Sequence, residues 1–352
     1  MVQKIPVAVL AATGSVGQRF VQLLDGHPWF EVVALTGSDR TVGQAYADAC
    51  HWVLNQPMPA WAREISIAST SVAALDVPLV FSALPASVAR EVEPQFARKG
   101  VMVCSNASAY RGAADIPILL PEVNPEHIGV LDPQRQGRGW SGGIVTNSNC
   151  TSTGTSIALK ALQGAFGLKR VFLFSMQAIS GAGYPGVPAM DIIDNVVPYI
   201  QGEEEKVEWE ARKILGNVDK GEIQLADFQV SAHTNRVAVA DGHMVCLSVE
   251  LAKPASAQDA AAALADYQAP QVRCDLPSAP HPVIVLRDEP DRPQPRLDRL
   301  QGKGMATVVG RVRPDPLLHV KLVVLSHNTI RGAAGGSIYN AELLYKQGLI
   351  AK

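Results

Sequence analysis

The sequence predicts an α/β protein in which a doubly wound parallel sheet is followed by an α+β unit. Three observations carry that prediction. Short apolar runs at 7–10, 78–84 and 100–105 alternate with helical patterns, the arrangement that winds into a parallel sheet buried on both faces. A glycine-bearing turn, Ala11-Ala12-Thr13-Gly14-Ser15-Val16-Gly17, joins the first run to the first helix. Beyond Cys150 the strict alternation stops, and helices mix with strand-like runs that suit antiparallel pairing.

In order, residues 7–10 form a strand, and Phe20, Leu23 and Leu24 mark the helix after the turn. Gly14 and Gly17 let that helix start approach a pyrophosphate, which its N–H groups and dipole would attract. Ala11 occupies the place of the first glycine in the fuller dinucleotide fingerprint, so the turn taken alone also suits an ordinary strand-helix junction. The next strand, 31–36, ends in Gly37-Ser38-Asp39-Arg40 rather than in the acid that would bind a ribose 2′-hydroxyl. Ser38 and Arg40 suit a 2′-phosphate, and NADP is expected over NAD. A helix is expected over 88–97, and 132–143, rich in Gly, Gln and Arg without periodicity, reads as a surface loop.

The second unit starts near Cys150. Helices are expected over 151–162, 203–214 and from an N-cap at Ser256 to Tyr267. Strands are expected over 170–176, 223–230, 236–239, 244–251, 306–312 and 320–325, with a Pro-, Arg- and Asp-rich loop over 288–299. The tail, 333–345, has helical spacing and should return to the first unit.

At 352 residues with 47% hydrophobic and 18% charged content, the chain can bury two cores and needs no disorder. A net charge of -2 without a Lys/Arg block points away from nucleic acid and anionic membranes, and towards small molecules and other subunits. Residues 1–6 lead straight into a strand, with no signal-peptide core and no membrane-length apolar span, so a cytoplasmic location is expected. The five cysteines are scattered and lack CxxC spacing, which argues against a disulfide framework and against a metal site.

Within Ile144-Val145-Thr146-Asn147-Ser148-Asn149-Cys150-Thr151-Ser152-Thr153-Gly154 an apolar run stops at a cysteine, and cap-forming residues open a helix. The positive end of a helix favours thiolate, so Cys150 is a candidate nucleophile. Asn149, Thr151, Ser152 and Thr153 could supply donors to an oxyanion. A cysteine nucleophile needs a proton shuttle, and His243 is the candidate because it ends a strand-turn segment that also carries Arg236.

Five stretches together resemble the aspartate-semialdehyde dehydrogenase family: Asn147 to Thr151, Gln177 to Gly186, Arg236-Val237 with Asp241-Gly242-His243, Pro293 to Arg296, and Ser326 to Gly336. The last two resemble its archaeal and fungal branch. The resemblance implies a Rossmann-type domain over 1–149, completed by the tail 328–352, and a catalytic and dimerisation domain over 150–327 with a mixed sheet. It implies NADPH-dependent reductive dephosphorylation of L-aspartyl 4-phosphate to L-aspartate 4-semialdehyde and phosphate, in lysine, methionine and threonine biosynthesis. By the same resemblance Cys150 forms an acyl-enzyme, His243 is the acid/base, Gln177 orients substrate and Asn149 stabilises the oxyanion. Arg236 would clamp the α-carboxylate, Arg111 and Lys206 the phosphate, and Glu203 the ammonium, with Glu204 and Glu205 as alternatives. Thr13, Gly14, Ser15, Val16, Gly17, Ser38, Arg40, Ser82, Gly181 and Asn328 would hold NADP(H), in a homodimer or homotetramer. A malonyl-CoA reductase of the same fold resembles this branch too and remains the rival enzyme. A catalytically silent nucleotide-binding module is the rival of another class, against which the joint presence of Cys150, His243, Gln177 and Arg236 speaks.

Overall fold

The computed structural model describes residues 4–270 and 275–350. β1 (Ile5–Leu10), α1 (Ser15–Leu23), β2 (Phe30–Leu35), β3 (Leu79–Ser82), α2 (Ala86–Arg98), β4 (Met102–Ser105), α3 (Leu131–Arg138) and β5 (Gly143–Thr146) build the first layer system. Its five strands are parallel, in the order β2-β1-β3-β4-β5. All residues of β3, β4 and β5 are buried, as strands covered on both faces must be. The chain leaves β1 to one side for β2 and crosses to the other for β3, which makes the carboxyl end of β1 the crevice of the sheet.

The stretch 132–143 departs from the expected loop. Its first half is α3, closed by Gly139 at φ 63. The helix escaped the hydrophobic pattern because a polar residue, Gln134, faces the sheet and exchanges bonds with Ile144, accepting from its N–H at 2.8 Å and donating to its carbonyl at 3.0 Å.

The second system comprises α4 (Cys150–Phe166), β6 (Leu168–Gln177), α5 (Glu203–Ile214), the small hairpin β7 (Asn217–Asp219) and β8 (Glu222–Gln224), β9 (Gln229–Arg236), β10 (His243–Leu251), α6 (Ala257–Ala265), β11 (Ile284–Arg287), β12 (Thr307–Pro314) and β13 (Val320–Ser326), after which α7 (Gly335–Lys346) returns to the first. The sheet order is β11-β12-β13-β10-β6-β9, parallel at β6/β9 and β11/β12 and antiparallel elsewhere. This is the expected Rossmann-type sheet followed by a mixed one. The run expected as one strand over 223–230 divides into β8 and the start of β9, and that over 236–239 keeps only Arg236 in a strand.

Register explains why the functional positions meet. Gln177 ends β6 opposite Arg236, which ends β9, while His243 opens the antiparallel β10 opposite Ser326, the last residue of β13. All four therefore lie at one end of the sheet. Helices α4, α5 and α6 cover one face in a shared core with Leu173, Val245 and Leu322. The other face leaves Phe172 42% and Phe174 37% exposed. The last helix, α7, lies in the other core, where Ile338, Leu343 and Leu344 pack with Val7, Phe20 and Phe81.

Candidate active site

Cys150 is the first residue of α4, directly after the strand β5 and the linker Asn147-Ser148-Asn149. Asn149 caps the helix, its Oδ1 accepting from the N–H groups of Thr151 at 2.8 Å and Ser152 at 3.2 Å. Its Nδ2 donates to Glu203 at 2.9 Å. The amide oxygen thus takes helix donors, and its nitrogen gives one of its two hydrogens to Glu203. Gly332 lies against the nucleophile so closely that a Cβ there would stand 2.8 Å from Cβ of Cys150.

The Cys150 Sγ is 3.2 Å from Nε2 of His243. The imidazole's other nitrogen, Nδ1, accepts from the Ala178 N–H at 3.0 Å, so a neutral ring carries its proton on Nε2, towards the sulfur. Burial, Arg236 and His327 pull His243 down to about 3. Burial pushes the thiol up to about 12, Glu203 adds to the rise, and Arg111 and Arg236 oppose it. Both shifts favour the neutral thiol and imidazole, burial opposing the helix dipole's pull towards the thiolate.

Glu203 opens α5 and is the hub of the surrounding polar groups, accepting from Asn149, from Gln177 Nε2 at 3.1 Å and from Thr151 Oγ1 at 3.5 Å. Its two neighbours point elsewhere. Glu204 accepts from the Thr234 N–H at 2.9 Å, and Glu205 is exposed. Arg236 is buried and donates from Nη1 to the Ala178 carbonyl at 2.8 Å. Gly181 packs against Arg236 and His243, where a Cβ would come within 2.8 Å of Arg236 Nη1 and 3.1 Å of His243 Nε2 and would press on both side chains. Arg111, also buried, pairs with Glu210 at 3.1 Å, while Lys206 is half-buried on α5. Sequence reasoning missed Glu210 and Gly332. The available signals were a helix position two turns after Glu203, hence on its face, and a glycine within a matching stretch.

The β1–α1 turn holds Ala11 at φ 57, the left-handed conformation that a glycine would adopt at no cost. Gly17 is packed so tightly that a Cβ would lie 2.3 Å from the Ala11 carbonyl oxygen. Gly14 sits at the N-cap of α1 with no side chain capping the helix, which leaves first-turn N–H groups for an anion. Thr13, Ser15 and Val16 belong to this turn and helix start, with Ser38 and Arg40 exposed beyond the end of β2 and Ser82 buried at the end of β3. Asn328 is placed further across, accepting from the Gly242 N–H and donating to Ser180 Oγ, each at 2.8 Å. Among the described residues no group of His, Cys, Asp and Glu could hold a metal ion, and no helix is long and apolar enough to cross a membrane. Cys50, Cys104, Cys150 and Cys246 are free thiols, and Cys274 lies outside the described residues.

Comparison with known proteins decides the family. Residues 6–130 match the semialdehyde dehydrogenase NAD binding domain, and residues 159–331 the semialdehyde dehydrogenase dimerisation domain. The aspartate-semialdehyde dehydrogenase of Archaeoglobus fulgidus is 50% identical over 98% of this chain and 99% of its own. The chain belongs to the aspartate-semialdehyde dehydrogenase family. The Schizosaccharomyces pombe member is 46% identical over 98% of this chain and 99% of its own. A crystal structure of the Candida albicans aspartate-semialdehyde dehydrogenase with NADP superposes with a TM-score of 0.92 at 43% identity, covering 99% of this chain and 100% of that one. Archaeal and fungal aspartate-semialdehyde dehydrogenases are thus among its relatives, in line with the branch that the Pro293–Arg296 and Ser326–Gly336 stretches resemble.

Burial is the main cause that pushes the Cys150 thiol up, and the second cause, Glu203, is testable. Glu203→Gln removes a negative charge and is expected to lower the thiol pKa, so that Cys150 is alkylated several-fold faster by iodoacetamide near pH 8. An unchanged rate-against-pH curve would exclude Glu203 as a cause.

Proposed function

We propose that this chain carries out the reaction of its family, the NADPH-dependent reductive dephosphorylation of L-aspartyl 4-phosphate to L-aspartate 4-semialdehyde and phosphate, in lysine, methionine and threonine biosynthesis. The observation that carries the reading is the 3.2 Å contact between the Cys150 sulfur and the proton-bearing Nε2 of His243. The sulfur attacks the acyl phosphate, a C–S bond forms as the C–O bond to phosphate breaks, and phosphate leaves towards Arg111 and Lys206. Arg236 binds the α-carboxylate as a planar fork, and Glu203 binds the ammonium while Gln177 orients the substrate. Burial is the larger cause of the raised thiol, and an ammonium beside Glu203 offsets the smaller contribution of that carboxylate. His243 takes the thiol proton at Nε2 as the sulfur attacks and returns it to the oxygen of the hemithioacetal; both roles place a proton on Nδ1 and so require the bond from the Ala178 N–H to give way.

The residues fit NADP(H). The uncapped α1 start with Gly14 and Gly17 suits the pyrophosphate, Thr13, Ser15 and Val16 belong to the same turn and helix start, Ser82 ends the neighbouring β3, Gly181 and Asn328 stand on the catalytic side, and exposed Ser38 and Arg40 suit the 2′-phosphate. When bound, NADPH supplies the hydride that turns the thioester into a hemithioacetal, whose collapse frees the aldehyde. Arg40→Ala should narrow the preference for NADP over NAD by about ten- to a hundredfold, one charge-assisted contact. The ratio of kcat/KM for the two cofactors measures it, and an unchanged ratio places recognition of the 2′-phosphate elsewhere.

The division into 1–149 with 328–352 and 150–327 follows the two sheets, and the exposed Phe172 and Phe174, within the segment that matches a dimerisation domain, support a homodimer or a homotetramer built from it. A monomer mass by light scattering at micromolar concentration would refute the assembly. A cytoplasmic setting suits a cofactor and substrate of central metabolism. The deciding assay is phosphate-dependent reduction of NADP by aspartate semialdehyde, run beside malonyl-CoA with NADPH. Turnover with malonyl-CoA alone would replace this reading with the acyl-CoA reductase.

A further inference from the structure

Glu210, two turns along α5 from Glu203, is fully buried and divides its carboxylate between two partners. Oε1 accepts from Nη1 of Arg111 at 3.1 Å, and Oε2 accepts from the backbone N–H of Asn149 at 2.6 Å. Asn149 is both the cap of α4 and the residue directly before the nucleophile. The other terminal nitrogen of Arg111, Nη2, donates to the Asn106 carbonyl at 2.8 Å. With both ends of the fork tied down, the guanidinium plane is fixed, and its buried Nε has no partner among the described residues. A buried donor without an acceptor costs stability unless a ligand takes it. The same helix also holds the backbone of Arg111. Lys213, one turn on, donates from Nζ to the carbonyls of Arg111 at 2.6 Å, Ala113 at 2.5 Å and Ile116 at 2.8 Å.

Resting on the assignment of Arg111 to phosphate, we propose that Glu210 is a positioning residue that aims the Nε edge of Arg111 at the phosphate and couples that cation to the peptide carrying Cys150. One carboxylate thereby sets the distance between the leaving group's cation and the nucleophile. A general buried ion pair would merely stabilise the fold, and its loss would weaken every ligand alike. A positioning pair makes a narrower demand.

Glu210→Gln keeps the shape but offers a single carbonyl oxygen to two donors and removes the charge. In the direction that reduces NADP, KM for phosphate should rise at least tenfold while KM for aspartate semialdehyde changes less than twofold. The phosphate concentration that half-protects Cys150 from iodoacetamide should rise by the same factor, a readout that needs no turnover. Arg111→Leu with Glu210→Gln should be no worse for phosphate than Arg111→Leu alone, because Glu210 acts through that side chain. Glu210→Asp retains the charge and should recover part of the phosphate affinity, and it carries the same comparison if the glutamine variant does not fold. Equal changes in both Michaelis constants, an unmoved half-protecting concentration, or no protection of the parent enzyme by phosphate would each overturn the proposal. If the parent enzyme is protected but shows no phosphate-dependent turnover, the proposed reaction fails while the protection shift still decides the role of Glu210.

Discussion

Cys150→Ala is expected to lower turnover by at least about ten-thousandfold, the scale on which loss of a covalent nucleophile is felt. The protein should stay folded. Cys150 is half-buried, its loss removes one sulfur atom, and the helix start is held by the Asn149 cap and the Glu210 bond to the Asn149 N–H, neither of which uses the thiol. Titration with NADP, followed by the shift in thermal midpoint, should give the same affinity as the parent. Retained turnover above a few per cent would exclude covalent catalysis through this residue, and loss of the cooperative melt would make its role structural.

Arg236→Lys comes next in size. Arginine binds a carboxylate through two parallel bonds, whereas lysine offers a point charge, so one charge-assisted bond worth about 1.5–3 kcal/mol is lost, roughly ten- to a hundredfold in kcat/KM. The effect should not stop at binding. The Ala178 peptide accepts from Arg236 through its carbonyl and donates to His243 Nδ1 through its N–H, so a loosened Arg236 also loosens the group that fixes the imidazole tautomer. Both kcat and KM should therefore suffer, in either direction of the reaction. A rise in KM with kcat unchanged would confine Arg236 to uniform substrate binding.

Local chemistry made much of this protein legible before its structure. Strands β3 and β4 of the first sheet are buried on both faces, and such apolar runs leave little choice of environment. The bounds of α5 were readable too, because three acids at its start and Arg212 and Lys213 at its end match the helix dipole. Cys150 announced itself through an apolar strand that gives way to cap-forming residues. What the sequence hid depends on pairs that are distant along the chain. The α3 helix turns a glutamine to the sheet, the partner of Arg111 is 99 residues away, and the shift of the Cys150 thiol depends on its own burial and on the charges of Glu203, Arg111 and Arg236. Periodicity reports which face of an element is apolar and is silent about which buried charges will share a pocket.

The placement of α7 bears on the order in which a ribosome delivers the parts. The first core takes Ile338, Leu343 and Leu344 from the last helix, and the stretch leading into it presses Gly332 against Cys150 and seats buried Arg331 on Glu122 through two bonds of 2.8 and 2.7 Å. During synthesis the thiol, the imidazole and the cations emerge well before these residues, while the first sheet still lacks one of its covering helices. A nascent chain that ends before residue 331 thus holds Cys150, His243 and the cations but neither the packing of Gly332 against Cys150 nor a closed first core, so competence for catalysis arrives with this later stretch rather than accruing along the way.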